Sequence, residues 1–342
     1  MPAMKIVFAS IVGTMGLLST AAQAQSPYEP HDASPPRDAG YVLADGTIRI
    51  VGWDDLAPMF GRLNALYVKT HPGTKLAYEK GNLYTPQHSI IFDETAFAPT
   101  GMEFSTGLNS AYRSQVNAPT YAIRIAHGAV QGDAKLGPLA FIVNKANPLE
   151  RLSPTQLVHI FTVGGRSPDV VTWKQAGVKG GLAESEIHAY GLPSSDHFAS
   201  EDPGFGAYLF RDKWGFAQNA RHYSMQETYA DVVKRVAEDP AGIGITTVNH
   251  VTPDVRILAL TAGEWGKPMR GTREDILSGR YPFDRFVYVY VRRMPREAID
   301  PFVHEYLRML LSKEGQEAIA ADGKGYLPLN PAELSAELAK LD

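Results

Sequence analysis

Segments that favour β-strands alternate along the chain with segments that favour amphipathic helices, and this alternation restricts the chain to the α/β class. Three runs of β-branched, aromatic or apolar residues have the composition of strands: Thr47–Val51, Leu139–Val143 and Phe286–Val291. The last of these, FVYVYV, is apolar or aromatic at every position, so we expect it at the centre of a sheet. Ile243–Val248 is a further candidate strand, broken by Gly244.

The helix starts between these runs carry capping residues and proline. Ser153 is followed by Pro154 and Gln156, which supply an N-cap, a first-turn proline and a capping box. Asp54 or Asp55 is expected to cap a helix near the N-terminus in a similar way. The predicted helices span about 56–69, 154–161, 228–238, 301–311 and 313–321.

The composition is that of a folded protein with more than one hydrophobic core. The chain has 342 residues, of which 44% are hydrophobic, and because single cores stop growing at roughly 250–300 residues we expect two domains or lobes. A formal net charge of −4 without a basic block argues against nucleic acid as a partner, because phosphate backbones are bound by clustered Lys and Arg. The sequence contains no cysteine, which excludes disulfides, thiolate metal sites and cysteine nucleophiles.

Residues 1–24 have the pattern of a cleavable secretory signal peptide. Ile6–Leu18 is a largely apolar run of 13 residues, too short to span a bilayer, and Ala22-Gln23-Ala24 supplies the small residues of a cleavage site. Residues 25–40 are rich in Pro, Asp and Ser and are expected to form a flexible leader. An exported chain without cysteine is predicted to reside in the periplasm of a Gram-negative bacterium.

Several sequence segments occur in an order and spacing that are hard to obtain by chance. They are PLAFIVNKANPLERLSPTQLVHIF (138–161), TWK (172–174), AYG (189–191), AGIG (241–244), YPF (281–283), FVYVYVRR (286–293), DPFV (300–303) and LLSKEGQEAIAADGKGYLPL (310–329). Together they resemble the phosphate-binding proteins of bacterial phosphate ABC importers, within the periplasmic-binding-protein superfamily. The resemblance covers roughly residues 45–330.

This resemblance implies a type II periplasmic-binding-protein fold, with two α/β lobes, a hinge and an interlobe cleft that closes on the ligand. Lobe 1 is expected from residues 40–127 and 278–342, and lobe 2 from residues 128–277. Helix N-termini that point into the cleft would suit an anion. The implied function is capture of a small ligand, phosphate or another oxyanion, for a membrane ABC permease, by a monomeric and non-catalytic protein that needs no cofactor and no metal.

The expected anion site departs from the family pattern. The first strand-to-helix turn carries two carboxylates in place of small hydroxyl residues, and the family's clamp arginine falls near Leu192. The ligand therefore stays open between phosphate, another oxyanion and a polar organic solute. The predicted ligand-binding residues are Trp53, Asp54, Asp55, Tyr84, Thr85, Glu103, His127, Ser194, Ser195 and His197.

Several of these residues also have a purely structural interpretation. At least one of Asp54 and Asp55 is expected to cap the first helix and to point away from the cleft. Trp53 either stacks on the ligand or packs between the lobes. His127 either lines the cleft or is a hydrogen-bonded structural histidine, and His197 is either a ligand contact or an exposed loop residue.

The sequence lacks the signatures of an enzyme. Ser194, Ser195, Asp196 and His197 have the side chains of a serine hydrolase, but no G-x-S-x-G motif surrounds them, and neighbours along a chain rarely form a triad. An H-E-x-x-H zinc motif is also missing. The alternative to transport is a periplasmic sensing or interaction module with the same fold that does not bind phosphate.

Overall fold

A computed structural model describes residues 27–161, 168–192, 222–261 and 267–342 of the chain. The predicted signal peptide and the predicted site residues Ser194, Ser195 and His197 lie outside the described residues.

The described residues form strands and helices in alternation, which confirms the α/β class. The strands are β1 (Ile48–Trp53), β2 (Leu76–Gly81), β3 (Ala98–Thr100), β4 (Tyr121–His127), β5 (Leu139–Asn144), β6 (Arg151–Leu152), β7 (His188–Gly191), β8 (Tyr223–Met225), β9 (Gly242–Thr247), β10 (Val255–Ile257), β11 (Ala259–Leu260), β12 (Phe286–Val291) and β13 (Leu327–Pro328). The helices are α1 (Ala57–Thr70), α2 (Thr85–Ile91), α3 (Thr106–Val116), α4 (Pro154–Phe161), α5 (Tyr229–Glu238), α6 (Arg273–Leu277), α7 (Pro301–Leu310), α8 (Lys313–Ala320) and α9 (Pro331–Leu338), with 3₁₀ turns at Asp54–Leu56 and Val248–His250.

One set of strands comes from the two ends of the described chain. β1 and β2 pair in parallel, and a four-stranded sheet has the order β13-β4-β12-β3. The FVYVYV strand β12 therefore lies between β4 and β3, as its apolar composition predicts. Helices α1, α7 and α8 cover this part of the molecule, and their buried faces share one core with the strands, including Phe60, Tyr67, Ile125, Val289 and Tyr306.

A second sheet uses the middle of the chain and has the order β10-β5-β9-β7-β8. β5 is buried along its whole length, as a strand covered on both faces requires. A separate core forms around it, with Phe141, Phe161 and Trp173 among its fully buried side chains.

The chain passes between the two sets of strands twice, through residues 128–138 and 278–285. The two passages are hydrogen-bonded side by side: the Gly128 N–H donates to the Arg285 carbonyl at 2.6 Å and the Leu139 N–H donates to the Phe283 carbonyl at 2.9 Å. The Tyr281 hydroxyl donates to the Leu139 carbonyl at 2.7 Å. The backbone at this junction is therefore fixed on both passages, while the assignment of two closing lobes stays a prediction.

Local capping signals are confirmed where partner residues lie within one helical turn. The Ser153 N–H donates to Gln156 Oε1 at 2.9 Å, and the Gln156 N–H donates to Ser153 Oγ at 3.2 Å, which completes the predicted capping box. Asp300 and Ser312 accept backbone N–H groups at the starts of α7 and α8. The prediction that Asp54 or Asp55 caps α1 is wrong: both residues lie in the preceding 3₁₀ turn, and the N-cap position of α1 is Leu56, without a side-chain bond.

The segment that composition predicts to be a flexible leader makes specific contacts over residues 27–40. The Tyr28 hydroxyl donates to Glu305 Oε1 at 2.6 Å, and the Tyr28 N–H donates to Glu314 Oε2 at 2.8 Å. The His31 N–H also donates to Glu305 Oε1, at 3.0 Å. These bonds join the segment to α7 and α8.

None of the helices that the structure describes is both long enough and apolar enough to cross a membrane.

Gly244 does not interrupt its strand, contrary to the sequence expectation, since β9 runs unbroken from Gly242 to Thr247. Its role is in packing. A Cβ at position 244 would lie 2.7 Å from Val232 Cγ1 and 2.8 Å from Val236 Cγ2, two side chains of α5. The missing side chain lets α5 lie directly on the sheet.

We expect Gly244→Ala to destabilise the protein by about 1–3 kcal/mol, because the added methyl group overpacks the contact between β9 and α5. Gly61→Ala is the matched control, because a Cβ at Gly61 in α1 meets nothing within 4 Å; it should stabilise α1 by about 0.5–1 kcal/mol. Urea unfolding of both variants measures the difference. Equal free energies of unfolding for the two variants would contradict the packing role of Gly244.

Candidate functional site

A pocket lies at the carboxyl ends of the parallel strands β1 and β2, where Trp53 pairs with Gly81, and beside the start of α1. Its volume is about 460 Å³, and it is lined by Asp54, Asp55, Ala57, Pro58, Lys80, Lys135 and Lys324. In α/β proteins this edge of the strands is where ligands commonly bind. Three ammonium groups and two carboxylates therefore face one small space.

Asp55 is the buried centre of this pocket. Its Oδ1 accepts from Lys324 Nζ at 2.7 Å, and its Oδ2 accepts from the Tyr326 hydroxyl at 2.6 Å and from the Lys135 backbone N–H at 2.9 Å. The Asp55 side chain is 1% exposed. Three donors thus satisfy a carboxylate that would be costly to bury alone.

The partners of Asp55 have pKa values that keep them as hydrogen-bond donors. Burial alone would lower the pKa of Lys324, but the hydrogen bond and charge of Asp55 outweigh it and raise that pKa, so the ammonium stays charged. Burial and the Asp55 carboxylate together hold the pKa of the Tyr326 hydroxyl far above its usual range. The phenol therefore stays protonated.

The outer part of the pocket carries exposed charges. Asp54 pairs with Lys135 at 2.9 Å, and both side chains are about half exposed. Lys80, near the end of β2, is exposed, and among the described residues no carboxylate forms an ion pair with it. Two of the three lysines pair with aspartates, and Lys324 also lies 3.6 Å from the exposed Asp133. Lys80 is the lysine of the pocket for which the described residues provide no ion-pair partner.

The sequence predicts Trp53 and both aspartates as neighbours in the site, and the structure separates their roles. Asp54 and Asp55 line the pocket, whereas Trp53 is 6% exposed and packs in the core of the first strand set. Its carbonyl accepts from the Tyr78 hydroxyl at 2.8 Å, and its ring lies against Gly101. Trp53 thus packs within the core of the first strand set, whereas the packing interpretation expected it between the lobes.

Tyr84, Thr85 and Glu103 lie outside the lining of this pocket. Tyr84 and Thr85 are at the start of α2, where both backbone N–H groups donate to Asn82 Oδ1, at 2.9 and 3.0 Å. Glu103 accepts from the Tyr288 hydroxyl at 2.7 Å. The contacts of Tyr84 and Thr85 therefore form the turn before α2, and the contact of Glu103 links it to β12.

His127, the last residue of β4, is fully buried between two carboxylates. Its Nδ1 lies 2.5 Å from Asp284 Oδ2, and its Nε2 lies 2.9 Å from Glu333 Oε2. Burial lowers the pKa of the imidazole, but the contacts with the two carboxylates outweigh burial and raise that pKa to about 9. The raised pKa favours the charged imidazole, and its two contacts join β4, the second passage and the start of α9, in agreement with the structural interpretation.

The three lysines of the pocket were not predicted from the sequence. Lys324 lies between Gly323 and Gly325, and two glycines this close indicate a tight turn or a close approach of the backbone. Both glycines have positive φ in the structure, as such a turn requires. Lys80 and Lys135 carry no such signal, because single exposed lysines are common on any surface. Among the described residues no group of three or more histidine or carboxylate side chains could hold a metal ion.

A model of the PBP superfamily domain matches residues 110–314, which is more than half of the chain. Two curated relatives are both called phosphate-binding protein PstS, from Pseudomonas aeruginosa strains PAO1 and UCBPP-PA14. Each is 26% identical over 298 residues, which cover 86% of this chain and 86% of the relative.

Solved structures have the same fold at low sequence identity. PstS from Borrelia burgdorferi gives a TM-score of 0.57 with 18% identity, over 83% of this chain and 98% of that one. An ABC-type phosphate transport receptor from Vibrio cholerae gives 0.56 with 17% identity, over 82% and 99%. The predicted resemblance and the type II periplasmic-binding-protein fold are both confirmed.

The charged state of His127 predicts a dependence of stability on pH. Because its pKa is about 9 in the folded protein and near 6.5 when unfolded, its contribution is complete below pH 6.5 and is lost as the pH rises through 9. His127→Gln should remove this alkaline dependence and cost about 3–5 kcal/mol, since it leaves buried carboxylates unpaired.

Urea unfolding between pH 6 and pH 10 measures this contribution, with His88→Gln on the exposed face of α2 as the control. The control should retain the alkaline loss of stability seen in the unmodified protein. An alkaline loss of the same size in His127→Gln would contradict the charge assigned to this imidazole.

Proposed function

This chain belongs to the PBP (periplasmic-binding-protein) superfamily, and we propose that it is an exported solute receptor that captures a small oxyanion for an ABC importer. The superfamily consists of binding proteins that are typically not enzymes. The chain is also distantly related to proteins named for phosphate binding. The observation that supports the proposal most directly is the pocket at the ends of β1 and β2, into which three lysines project.

The charges of the pocket favour an anionic ligand. Lys80 has no ion-pair partner within the part of the chain that the structure describes, and the ammonium of Lys135 is shared with an exposed carboxylate that can turn toward solvent. An ion pair between exposed groups contributes little, with a median of about 0–1 kcal/mol, so an arriving anion can compete for Lys135 at small cost. Phosphate or another oxyanion offers several acceptor oxygens to such donors.

The position of the pocket suits closure around the ligand. Lys135 belongs to the first passage between the two strand sets, and Lys324 precedes β13, so the pocket adjoins the junction. We propose that residues 40–127 and 278–342 form one lobe and residues 128–277 the other, and that they close over the pocket. Ser194, Ser195 and His197 are proposed as the contribution of the second lobe.

A periplasmic sensing or interaction module is the second candidate, and the two aspartates favour it. Both pair with lysines of the pocket, at 2.9 Å for Asp54 and 2.7 Å for Asp55. These carboxylates would weaken the binding of a doubly charged anion through like-charge repulsion. A polar organic solute, or a role without a tight ligand, would suit this arrangement.

Calorimetric titration of the exported protein, stripped of ligand by unfolding and refolding, tests the proposal with phosphate and sulfate. We expect binding of at least one anion, and we expect Lys80→Gln to weaken it roughly tenfold, since a charge-assisted hydrogen bond contributes about 1.5 kcal/mol or more. Lys69→Gln at the far end of α1 is the control and should bind normally.

The absence of heat and of any thermal shift at millimolar phosphate and sulfate would reject the oxyanion proposal. The sensing module or an organic ligand would then be preferred.

Lobe closure predicts a change of shape. A saturating ligand should reduce the radius of gyration measured by small-angle X-ray scattering, because the cleft closes and expels water. The ligand-free protein provides the reference curve. An unchanged radius under conditions where calorimetry shows saturation would contradict closure while leaving the binding site itself in place.

A further inference from the structure

The carboxylate of Asp55 is held as a bound anion would be held. Lys324 Nζ, the Tyr326 hydroxyl and the Lys135 N–H converge on it at 2.6–2.9 Å, and the side chain is excluded from water. We call these three donors the Asp55 cradle. One donor is charged, one is a neutral hydroxyl and one is a backbone amide, which is a mixture suited to any small carboxylate or oxyanion.

The loops that carry the cradle are also held by contacts that do not involve Asp55. Gly132 and Gly325 both have positive φ, at 81° and 90°. The backbone of Gly132 lies against the loop that carries Lys324, and the backbone of Gly325 lies against the loop that carries Lys135. A Cβ at Gly132 would overlap the Lys324 carbonyl, and a Cβ at Gly325 would overlap the Gln131 carbonyl. The loops that carry Lys135 and Lys324 are therefore locked together by backbone contact.

Two further contacts hold these loops. The Asn249 side-chain amide, from the second strand set, donates to the Ala134 carbonyl at 2.9 Å. The Lys324 N–H donates to Asp322 Oδ1 at 2.9 Å, which fixes the turn before the lysine. Removal of the Asp55 carboxylate should thus leave the three donors in place around an empty position.

We propose that Asp55 is a tethered anion that occupies a preformed anion-binding cradle, and that the cradle accepts a free carboxylate or oxyanion once the Asp55 side chain is shortened. The consequence for ligand choice, which rests on the proposed function, is that the natural ligand binds outside the cradle, against Lys80 and the Asp54–Lys135 pair. Asp55 would then be a specificity-determining residue that keeps small anions out of the buried part of the pocket.

Chemical rescue tests the cradle directly. Asp55→Ala should lower Tm in sodium chloride, because it removes the buried carboxylate bound to the Lys324 ammonium and leaves only the exposed Asp133 at 3.6 Å. Replacing chloride by formate or sulfate, at tens of millimolar and equal ionic strength, should raise the Tm of this variant by at least about 3 °C more than that of the unmodified protein.

Asp133→Ala is the matched control. Asp133 lies 3.6 Å from the same Lys324 ammonium, but its side chain is 85% exposed and lies outside the cradle. Its removal should produce no extra response to formate. In calorimetry, formate or sulfate should bind Asp55→Ala at least about tenfold more tightly than it binds the unmodified protein.

A folded Asp55→Ala variant that responds to formate and sulfate no more than the unmodified protein would overturn the proposal. An equal response of Asp133→Ala would overturn it as well. If Asp55→Ala does not fold in chloride, the yield of refolding in formate becomes the readout, and failure to recover folded protein counts against the cradle. Rescue of Asp55→Ala by formate, together with an unmodified protein that binds no anion, would support the cradle and reject the proposed function.

Discussion

The two passages of the chain between the strand sets depend on one buried charge cluster. His127 closes β4 at the first passage, and Asp284 stands just before β12 on the second, with 2.5 Å between their side chains. Glu333, at the start of α9, occupies the other imidazole nitrogen. The cluster therefore fixes both passages and the C-terminal helix at one point.

The pocket is built on the same junction, so its geometry follows from the passages. Lys135 is carried by the first passage, and Lys324 by the loop that packs on it through Gly132 and Gly325. The carboxylate of Asp55 bridges both segments to the first strand-to-helix turn. Its buried contacts are much less screened than the exposed pair of Asp54 and Lys135. The inner half of the pocket thus has its buried carboxylate fully hydrogen-bonded, whereas the outer half carries an exposed ion pair.

The comparisons illustrate how a fold persists at low sequence identity. The apolar pattern of strands such as β5 and β12 preserves the fold at 17–18% identity to solved structures, because cores tolerate many substitutions of similar volume. A binding site tolerates fewer substitutions, because a single added carboxylate can change which ligand the site binds. Fold membership is therefore firm for this chain, while the proposed ligand site depends on a few residues at the ends of β1 and β2.

The sequence by itself determined the features whose partners are near in the chain. The capping box of Ser153 and Gln156, the cap of Ser312 and the central position of β12 all follow from spacing or composition over a few residues. The sequence placed Asp54 and Asp55 at the site, but tertiary structure alone decided which residues surround them. Asp55 has the local pattern of a helix cap, yet it binds Lys324, which lies 269 positions later. Local sequence patterns cannot predict a contact over this separation. The two passages of the chain through the junction bring the lysine and the aspartate together.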